Sequence, residues 1–214
     1  MIRIVLADDH TIVREGLRQL LDAAEGLAIV GEARDGHEVI KAVREQEFEL
    51  LLLDMSMPGK SGIELIKQVR SEKPKLRVLV LSMHEERQYA IRAIRAGASG
   101  YLTKDSASRQ LVEAIRKVAA GGAFISSEVA EQLALGAMPG AQSMPHEALS
   151  DREFQVFRMI AEGKSVSDIA ERLNLSVKTV STHKANIMQK MQMGTAGDLI
   201  RYALSHGLVE GSAR

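Results

Sequence analysis

The first 120 residues alternate between two hydrophobic patterns. Stretches such as TIVREGLRQLLDAA repeat their apolar residues at helical spacing, which predicts amphipathic helices. Between these stretches lie short continuous apolar runs, which are typical of strands buried on both faces. Together the two patterns indicate a doubly wound α/β domain with a parallel sheet. The five predicted strands are at 2–7, 27–33, 49–54, 76–82 and 100–103.

This alternation stops after Gly121. The segment LGAMPGAQSMPHEA, at 135–148, contains two Met-Pro pairs and two glycines but few large apolar residues, which is typical of a linker. We therefore expect an α/β domain at 1–120, a linker at 121–148 and a separate domain at 149–214.

Only helical patterns follow the linker. Ser150 with Glu153 three residues later has the spacing of a capping box, and Gly163 is suited to end that helix. The turn Asn174-Leu175-Ser176 separates two further helical stretches, as in a helix-turn-helix. The pattern predicts an all-α domain of four helices.

Composition excludes several classes of protein. The 214-residue chain has no cysteine, so neither disulfides nor thiolate metal sites are possible. No apolar run approaches the roughly 20 residues that cross a bilayer. The N-terminal MIRIVLADDH lacks the basic, apolar and small-residue regions of a signal peptide. We therefore expect a soluble cytoplasmic protein.

Polar residues occupy the positions where the predicted strands end. Asp8 and Asp9 end the first strand, Asp54 the third and Ser82 the fourth, while Lys104 follows the fifth. The carboxyl ends of parallel strands meet at one edge, and a sheet of order 2-1-3-4-5 places the first strand beside the third. We therefore expect all five side chains at one rim of the sheet.

The chemistry of this set is coherent, although each residue alone could be a helix cap or a solvated charge. Three crowded carboxylates repel one another unless a cation binds, and Mg²⁺ prefers oxygen ligands. Asp54 is the expected nucleophile toward a phosphoryl donor, because Asp8 and Asp9 are adjacent and suit a metal pair. Ser82 could donate its hydroxyl to the new phosphate, and Lys104 could pair with its charge.

The segments LADDH, LLLLDMSMPGKSG, VLVLSMH and GASGYLTKD occur in the order found in receiver domains of two-component response regulators, which residues 1–120 resemble. The resemblance implies a flavodoxin-like fold and phosphorylation of Asp54 by a sensor histidine kinase. It also implies that Asp9, Asp54 and the backbone carbonyl of Ser56 hold Mg²⁺, with Asp8 assisting through water.

The same resemblance assigns a phosphate-sensing switch. It implies that Tyr101 turns inward when Ser82 moves toward the phosphate on Asp54, with Lys104 as the charge partner. The alternative for Tyr101 is an ordinary half-exposed strand residue.

The helical stretch from Val177 to Met191 has two faces and lies in a part of the chain without acids, between Glu171 and Asp198. One face is an apolar stripe, which also contains Lys184 with its amine reaching outward. The other face is polar, uncharged or positive, and suits either a solvated helix or a polyanion. The apolar stripe comprises Val177, Val180, Ile187, Met188 and Met191, and the polar face comprises Lys178, Thr182, Asn186 and Gln189, flanked by Thr179, Ser181, Ala185 and Lys190.

The segment LSDREFQVFRMIAEGKSVSDIAERLNLSVKTVSTHKANIMQKM resembles the LuxR-type helix-turn-helix of NarL/FixJ response regulators. The resemblance implies a dimer on double-stranded DNA, with His183 and Lys190 on the phosphate backbone and the face from Lys178 to Asn186 reading bases. The implied DNA contacts are Lys178, Thr179, Ser181, Thr182, His183, Lys184, Ala185, Asn186 and Lys190.

The sequence therefore predicts a transcriptional regulator, and not an enzyme, that is switched by phosphorylation. A dehalogenase-type phosphatase would need a second acid two residues after Asp54, where this chain has Ser56. The remaining alternative is a receiver-like regulator controlled by ligand or protein contact without phosphorylation. Such a protein would lack one of the five rim residues, and none is missing here.

Overall fold

The computed structural model describes residues 1–57, 62–82, 87–136 and 144–209. It divides into two compact units, Met1–Ala134 and Leu135–Arg214, which are described separately. Among the described residues, no helix has the length and apolar character needed to cross a membrane.

The first unit contains the parallel sheet that the sequence predicts. Its five strands lie in the order β2-β1-β3-β4-β5, and every pair is parallel. The run of four leucines at 50–53 forms the central strand, which pairs with the first strand on one side and the fourth on the other. The strands are β1 (Ile2–Ala7), β2 (Leu27–Ala33), β3 (Leu50–Asp54), β4 (Arg77–Ser82) and β5 (Gly100–Thr103).

Helices cover both faces of this sheet. Because successive side chains of a strand point to opposite faces, Leu51 and Leu53 enter one core while Leu50 and Leu52 enter the other. This explains the four consecutive leucines, because a strand with a core on each side needs apolar residues on both faces. The helices are α1 (Thr11–Asp22), α2 (Gly36–Glu45), α3 (Gly62–Glu72), α4 (Arg87–Arg95) and α5 (Lys104–Ala119).

Much of the segment predicted as a linker is built onto the first unit. Phe124 forms a parallel bridge with Gly100, and its carbonyl accepts a 2.8 Å hydrogen bond from the Tyr101 N–H. Helix α6 (Ser127–Gly136) follows, and its Val129 is buried in the same core as Tyr101. Residues up to 134 therefore belong to the first unit, because this segment pairs with the β5 edge of the sheet and packs against its core. Residues 137–143 of the expected linker lie outside the described part.

The second unit is the predicted four-helix domain. A short 3₁₀ helix, Pro145–Ala148, precedes it, and His146 Nδ1 lies 2.8 Å from the Tyr202 hydroxyl in the last helix. The expected capping box at Ser150 forms, and a further one joins Thr195 to Asp198. The helices are α7 (Asp151–Ala161), α8 (Val166–Arg172), α9 (Val177–Met191) and α10 (Ala196–Ser205).

The turn between α8 and α9 depends on an unusual backbone conformation. Asn174 has φ 51°, in the left-handed region, and Asn is among the few residues other than glycine that enter it readily. Ser176 then caps α9 by accepting a hydrogen bond from the Thr179 N–H. These two residues set the position where α9 begins.

The crowded edge of β5 gives a direct test of the fold. A Cβ on Gly100 would lie 2.8 Å from Leu79 Cδ1 and 2.9 Å from the Phe124 carbonyl oxygen, so the backbone would have to shift. Gly100→Ala should lower the free energy of unfolding in urea by roughly 1–3 kcal/mol.

Gly16→Ala is the matched control for Gly100→Ala. Gly16 lies in α1, and a Cβ added to it would meet no atom within 4 Å, so alanine should be neutral there or stabilising by up to about 1 kcal/mol. Equal stability of the two variants would contradict the pairing of Phe124 with β5.

Candidate functional sites

Three acids and a lysine meet at the carboxyl edge of the sheet, as the sequence predicts. Lys104 begins α5, and its Nζ lies 2.7 Å from Asp8 Oδ2 and 3.1 Å from Asp54 Oδ2. Asp9 also belongs to this group of side chains. Ser82 ends the adjacent strand β4, where it is buried and pairs in register with the residue just before Lys104.

The buried environment of Asp54 disfavours an isolated negative charge. Asp8 and Asp54 are each only 1% exposed. Burial is the main cause that raises the pKa of Asp54 above its usual range; the ammonium of Lys104 opposes the shift, and the charge of Asp8 adds to it. Lys104 therefore holds two carboxylates together that would otherwise repel each other.

The same carboxylates can accommodate a hard cation. Ligand atoms of Asp8, Asp9, His10 and Asp54 all lie within 4.8 Å of one another. Oδ1 of Asp9 is buried without a hydrogen-bond partner among the described residues, and the buried Asp54 carboxylate has only the Lys104 ammonium and the Ser56 backbone beside it. Because such oxygens are costly to bury alone, a divalent ion with oxygen ligands fits this pocket.

Ser56 lies beside the Asp54 carboxylate. It occupies an exposed turn directly after β3, and its backbone approaches the Asp54 carboxylate closely enough to favour the charged form. Its carbonyl as a metal ligand stays a prediction.

Tyr101 lies inside the domain. It is 8% exposed and belongs to the same core as Ala90 and Val129, so the half-exposed alternative is wrong. A cavity of about 270 Å³ adjoins it, lined in part by Ser106, Gln110 and Val129. Tyr101 therefore has neighbouring space on the side that α6 covers.

Two residues near the acids were missed at the sequence level. Arg14 is buried, donates a 2.8 Å hydrogen bond to the Asp8 carbonyl oxygen and pairs with Glu32 at 3.3 Å. His10 places its Nδ1 3.0 Å from Asp9 Oδ1 and 3.3 Å from Asp8 Oδ1. The position of His10, directly after the acid pair, was an available signal, whereas Arg14 looks like any polar helix residue.

Helix α9 of the second unit presents the polar face expected from its pattern. Val180, Ile187 and Met191 are buried against the domain core. Val177 is the exception: it was assigned to the apolar stripe but is 51% exposed, because it is the first residue of the helix. Of the predicted DNA contacts, Thr179, His183 and Lys184 are half-buried, and those exposed are Lys178, Ser181, Thr182, Ala185, Asn186 and Lys190.

Hydrogen bonds constrain two of the threonines on this helix. The Thr179 hydroxyl lies 2.7 Å from the Ser176 hydroxyl at the cap. Thr182 donates its hydroxyl hydrogen to the Lys178 carbonyl at 3.0 Å, while its side chain stays exposed. The exposed Thr182 oxygen is therefore available as a hydrogen-bond acceptor.

Lys190 has a structural partner that the sequence did not reveal. Its Nζ lies 2.7 Å from Oε2 of Glu153, whose side chain is only 6% exposed, so the pair joins α7 to α9. Burial alone would raise the pKa of Glu153, but hydrogen bonds from Lys190 and Ser150 outweigh it and hold that pKa below the usual value. The assignment of Lys190 to DNA phosphate stays a prediction.

Comparison with known proteins assigns both units to a family. Residues 4–116 match the family described as response regulator receiver domain. Residues 147–203 match bacterial regulatory proteins of the luxR family. The chain belongs to the two-component response regulators.

Similar proteins match this chain over nearly their full length. The response regulator UvrY of Escherichia coli K12 is 37% identical over 209 residues, which are 97% of this chain and 96% of that protein. The response regulator GacA of Pseudomonas aeruginosa is 37% identical over 214 residues, the whole of both chains.

Solved structures give the same result. The RcsB response regulator of Salmonella typhimurium is 30% identical with a TM-score of 0.69, covering 95% of this chain and 97% of that one. A complex of RcsB with DNA has a TM-score of 0.59 at 30% identity, covering 95% and 98% of the two chains.

The Glu153–Lys190 pair of the LuxR-type domain generates a stability prediction. Lys190→Met leaves a buried carboxylate without its charged donor, so the free energy of unfolding at pH 7 should fall by roughly 1–3 kcal/mol. The folded pKa of Glu153 is lowered, so the pair's contribution is present above the unfolded pKa near 4.5 and is lost as pH falls through the folded pKa. Denaturant unfolding should therefore show a difference that shrinks on acidification.

Lys178→Met is the control for this pair, because Lys178 is an exposed lysine of the same helix. Its unfolding free energy should stay within about 0.5 kcal/mol of the parent. Equal losses in the two variants at pH 7 would show that the ion pair does not stabilise the domain.

Proposed function

We propose that this response regulator is a DNA-binding transcription factor whose receiver domain is phosphorylated on Asp54 in the presence of Mg²⁺. The observation that carries the proposal is the buried Asp54 carboxylate at the end of β3, with Lys104 on one side and the Asp8–Asp9 pair nearby. A sensor histidine kinase is the expected donor, and the cytoplasm is the expected compartment.

The residues of the rim divide the chemistry among them. An Asp54 oxygen attacks the phosphorus of the donor, the bond to the donor's leaving group breaks, and the product is an acyl phosphate. Asp8, Asp9 and Asp54 would hold Mg²⁺, which neutralises charge on the incoming phosphoryl group. Lys104, already 3.1 Å from Asp54, can move to pair with the phosphate oxygens.

Signal transmission would begin at Ser82 and Tyr101. Ser82 lies at the same edge of the sheet, so its hydroxyl can donate to the phosphate on Asp54. Tyr101 occupies the neighbouring strand beside a cavity and beneath α6. A rearrangement at Ser82 would thus reach the segment that leads out of the receiver domain.

DNA is the proposed partner of the LuxR-type domain. The solved complex of the similar RcsB with DNA supports this, as does the exposed face of α9, where no acid occurs from Val177 to Met191. Short side chains such as Thr182 and Ala185 suit close approach to base edges. We expect the phosphorylated protein to bind as a homodimer.

Incubation with acetyl phosphate tests the receiver chemistry. The intact mass should rise by one phosphoryl group only when Mg²⁺ is present, and the gain should be removed by hydroxylamine. Asp54→Asn should abolish the gain because the nucleophile is lost. Asp35→Asn, which changes the half-buried cap of α2, should be labelled like the parent. Undiminished labelling of Asp54→Asn would refute the assignment and favour a regulator controlled without phosphorylation.

Selection of duplexes from a randomised pool tests the DNA interface. Thr182→Gln places a longer, amide-bearing side chain on the exposed face, and should shift discrimination by about 1–3 kcal/mol at one base pair. Gln189→Thr is the control near the end of α9, and should leave sequence preference unchanged, because bases are read mainly by the first turns of a recognition helix. An unchanged preference for folded Thr182→Gln would show that this face does not read bases.

A further inference from the structure

We propose that Arg14 is a positioning residue for the phosphorylation of Asp54. Arg14 holds Asp8 in place, above all when Lys104 leaves Asp8 to pair with the new phosphate, and Glu32 orients the Arg14 guanidinium. The proposal deepens the proposed function and rests on it, because it concerns the same reaction. Arg14 acts through Asp8 and not on the reacting atoms.

The first observation is where the charge of Arg14 lies. Arg14 shares the inner face of α1 with Leu17 and Leu21, and its side chain is only 4% exposed. An apolar residue would suit this position, because a buried arginine is costly unless its guanidinium is paired and hydrogen-bonded. A charge on this face therefore indicates a role that a leucine could not fill.

The guanidinium of Arg14 connects three elements of the domain. Its Nη1 donates a 2.8 Å hydrogen bond to the carbonyl oxygen of Asp8, directly after β1. Its Nε lies 3.3 Å from Oε2 of Glu32 in β2, and its Nη2 donates to the Thr11 hydroxyl, at the start of α1, at 3.4 Å. Because the donors of a guanidinium have a fixed planar geometry, Glu32 sets the direction in which Nη1 points.

Asp8 is held on several sides, and one of these contacts must break during the reaction. Its N–H donates to the Ala33 carbonyl oxygen at 3.1 Å, and its Oδ1 accepts a 2.8 Å hydrogen bond from the His10 N–H. Its Oδ2 accepts a 2.7 Å hydrogen bond from Lys104. When Lys104 moves to the phosphate, this last contact is lost, whereas Arg14 can stay bonded to the Asp8 carbonyl oxygen.

Loss of the Arg14 guanidinium should therefore slow the reaction although every reacting group is still present. The Asp8 carbonyl would lose its charged donor, which favours another conformation of the loop that carries Asp8 and Asp9. A shift of about 1 Å in a group that positions the reactants can lower a rate by roughly 100-fold. The effect belongs to the rate of labelling and not to the identity of the labelled residue.

The initial rate of labelling by acetyl phosphate at saturating Mg²⁺ tests the proposal in the full chain. Arg14→Met keeps the side-chain stem but removes the guanidinium, and should slow labelling of Asp54 by about tenfold or more per folded molecule. The folded fraction is taken from circular dichroism at the assay temperature. Arg14→Lys restores a cation and should recover part of the rate. A packing defect predicts no such recovery, because methionine fills the same space as the lysine stem.

Arg18→Met is the matched control. Arg18 pairs with Glu32 from the next turn of α1, but its side chain is 48% exposed, so its loss should change the rate by less than about twofold. Glu32→Gln keeps Arg14 while weakening the partner that orients it, and should slow labelling more than Arg18→Met does. This variant decides the matter if Arg14→Met does not fold.

The outcomes separate this proposal from the proposed function. Full labelling rates in folded Arg14→Met, a loss that Arg14→Lys does not reduce, or equal rates in Glu32→Gln and Arg18→Met would overturn the role of Arg14. Each of these results would leave Asp54 as the labelled residue and the proposed function standing. A parent protein that acetyl phosphate does not label would overturn both.

Discussion

The ion triad of Asp8, Lys104 and Asp54 imposes the constraint that the rest of the receiver domain satisfies. Both carboxylates are 1% exposed and share one ammonium, at 2.7 and 3.1 Å. Burying such charges costs several kcal/mol per ion unless their geometry is well kept. The three residues come from the ends of β1 and β3 and the start of α5, so strand register must be fixed. The end of the leucine run in β3 sets it, because a slip of one residue would turn the Asp54 side chain to the other face and away from Lys104.

The LuxR-type domain contains a similar but simpler interaction, a buried acid paired with a lysine. Glu153 is buried, accepts hydrogen bonds from the Ser150 backbone and Lys190, and thereby links the cap of α7 to the end of α9. Val180 and Ile187 hold the middle of α9 against the core. Because this side of α9 is buried, its opposite, polar face is exposed, with Thr182 at the centre. In each domain, a buried acid with a basic partner helps to position a functional surface. In the receiver domain this surface is the acid rim, and in the LuxR-type domain it is the polar face of α9.

The sequence predicted the sheet, its order and the acid rim because continuous apolar runs and the rule for strand ends depend on local pattern. It did not predict what depends on a partner distant in the chain. The docking of Phe124 and Val129 follows from the unsatisfied edge of β5, which a linker-like composition does not reveal. The pairing of Lys190 with Glu153 spans 37 residues, and the exposure of Val177 follows from where α9 begins. The same holds for Arg14, whose role depends on a loop carbonyl.

We propose that charge on Asp54, sensed through Lys104, controls DNA binding. Its most direct test is the affinity for a selected duplex, measured with and without acetyl phosphate, in the parent and in Lys104→Met. We expect that phosphorylation changes the affinity of the parent, whereas Lys104→Met accepts phosphate but keeps the affinity of its unphosphorylated form. A parent whose labelled and unlabelled forms bind that duplex equally, or a Lys104→Met protein that responds as fully as the parent, would contradict it.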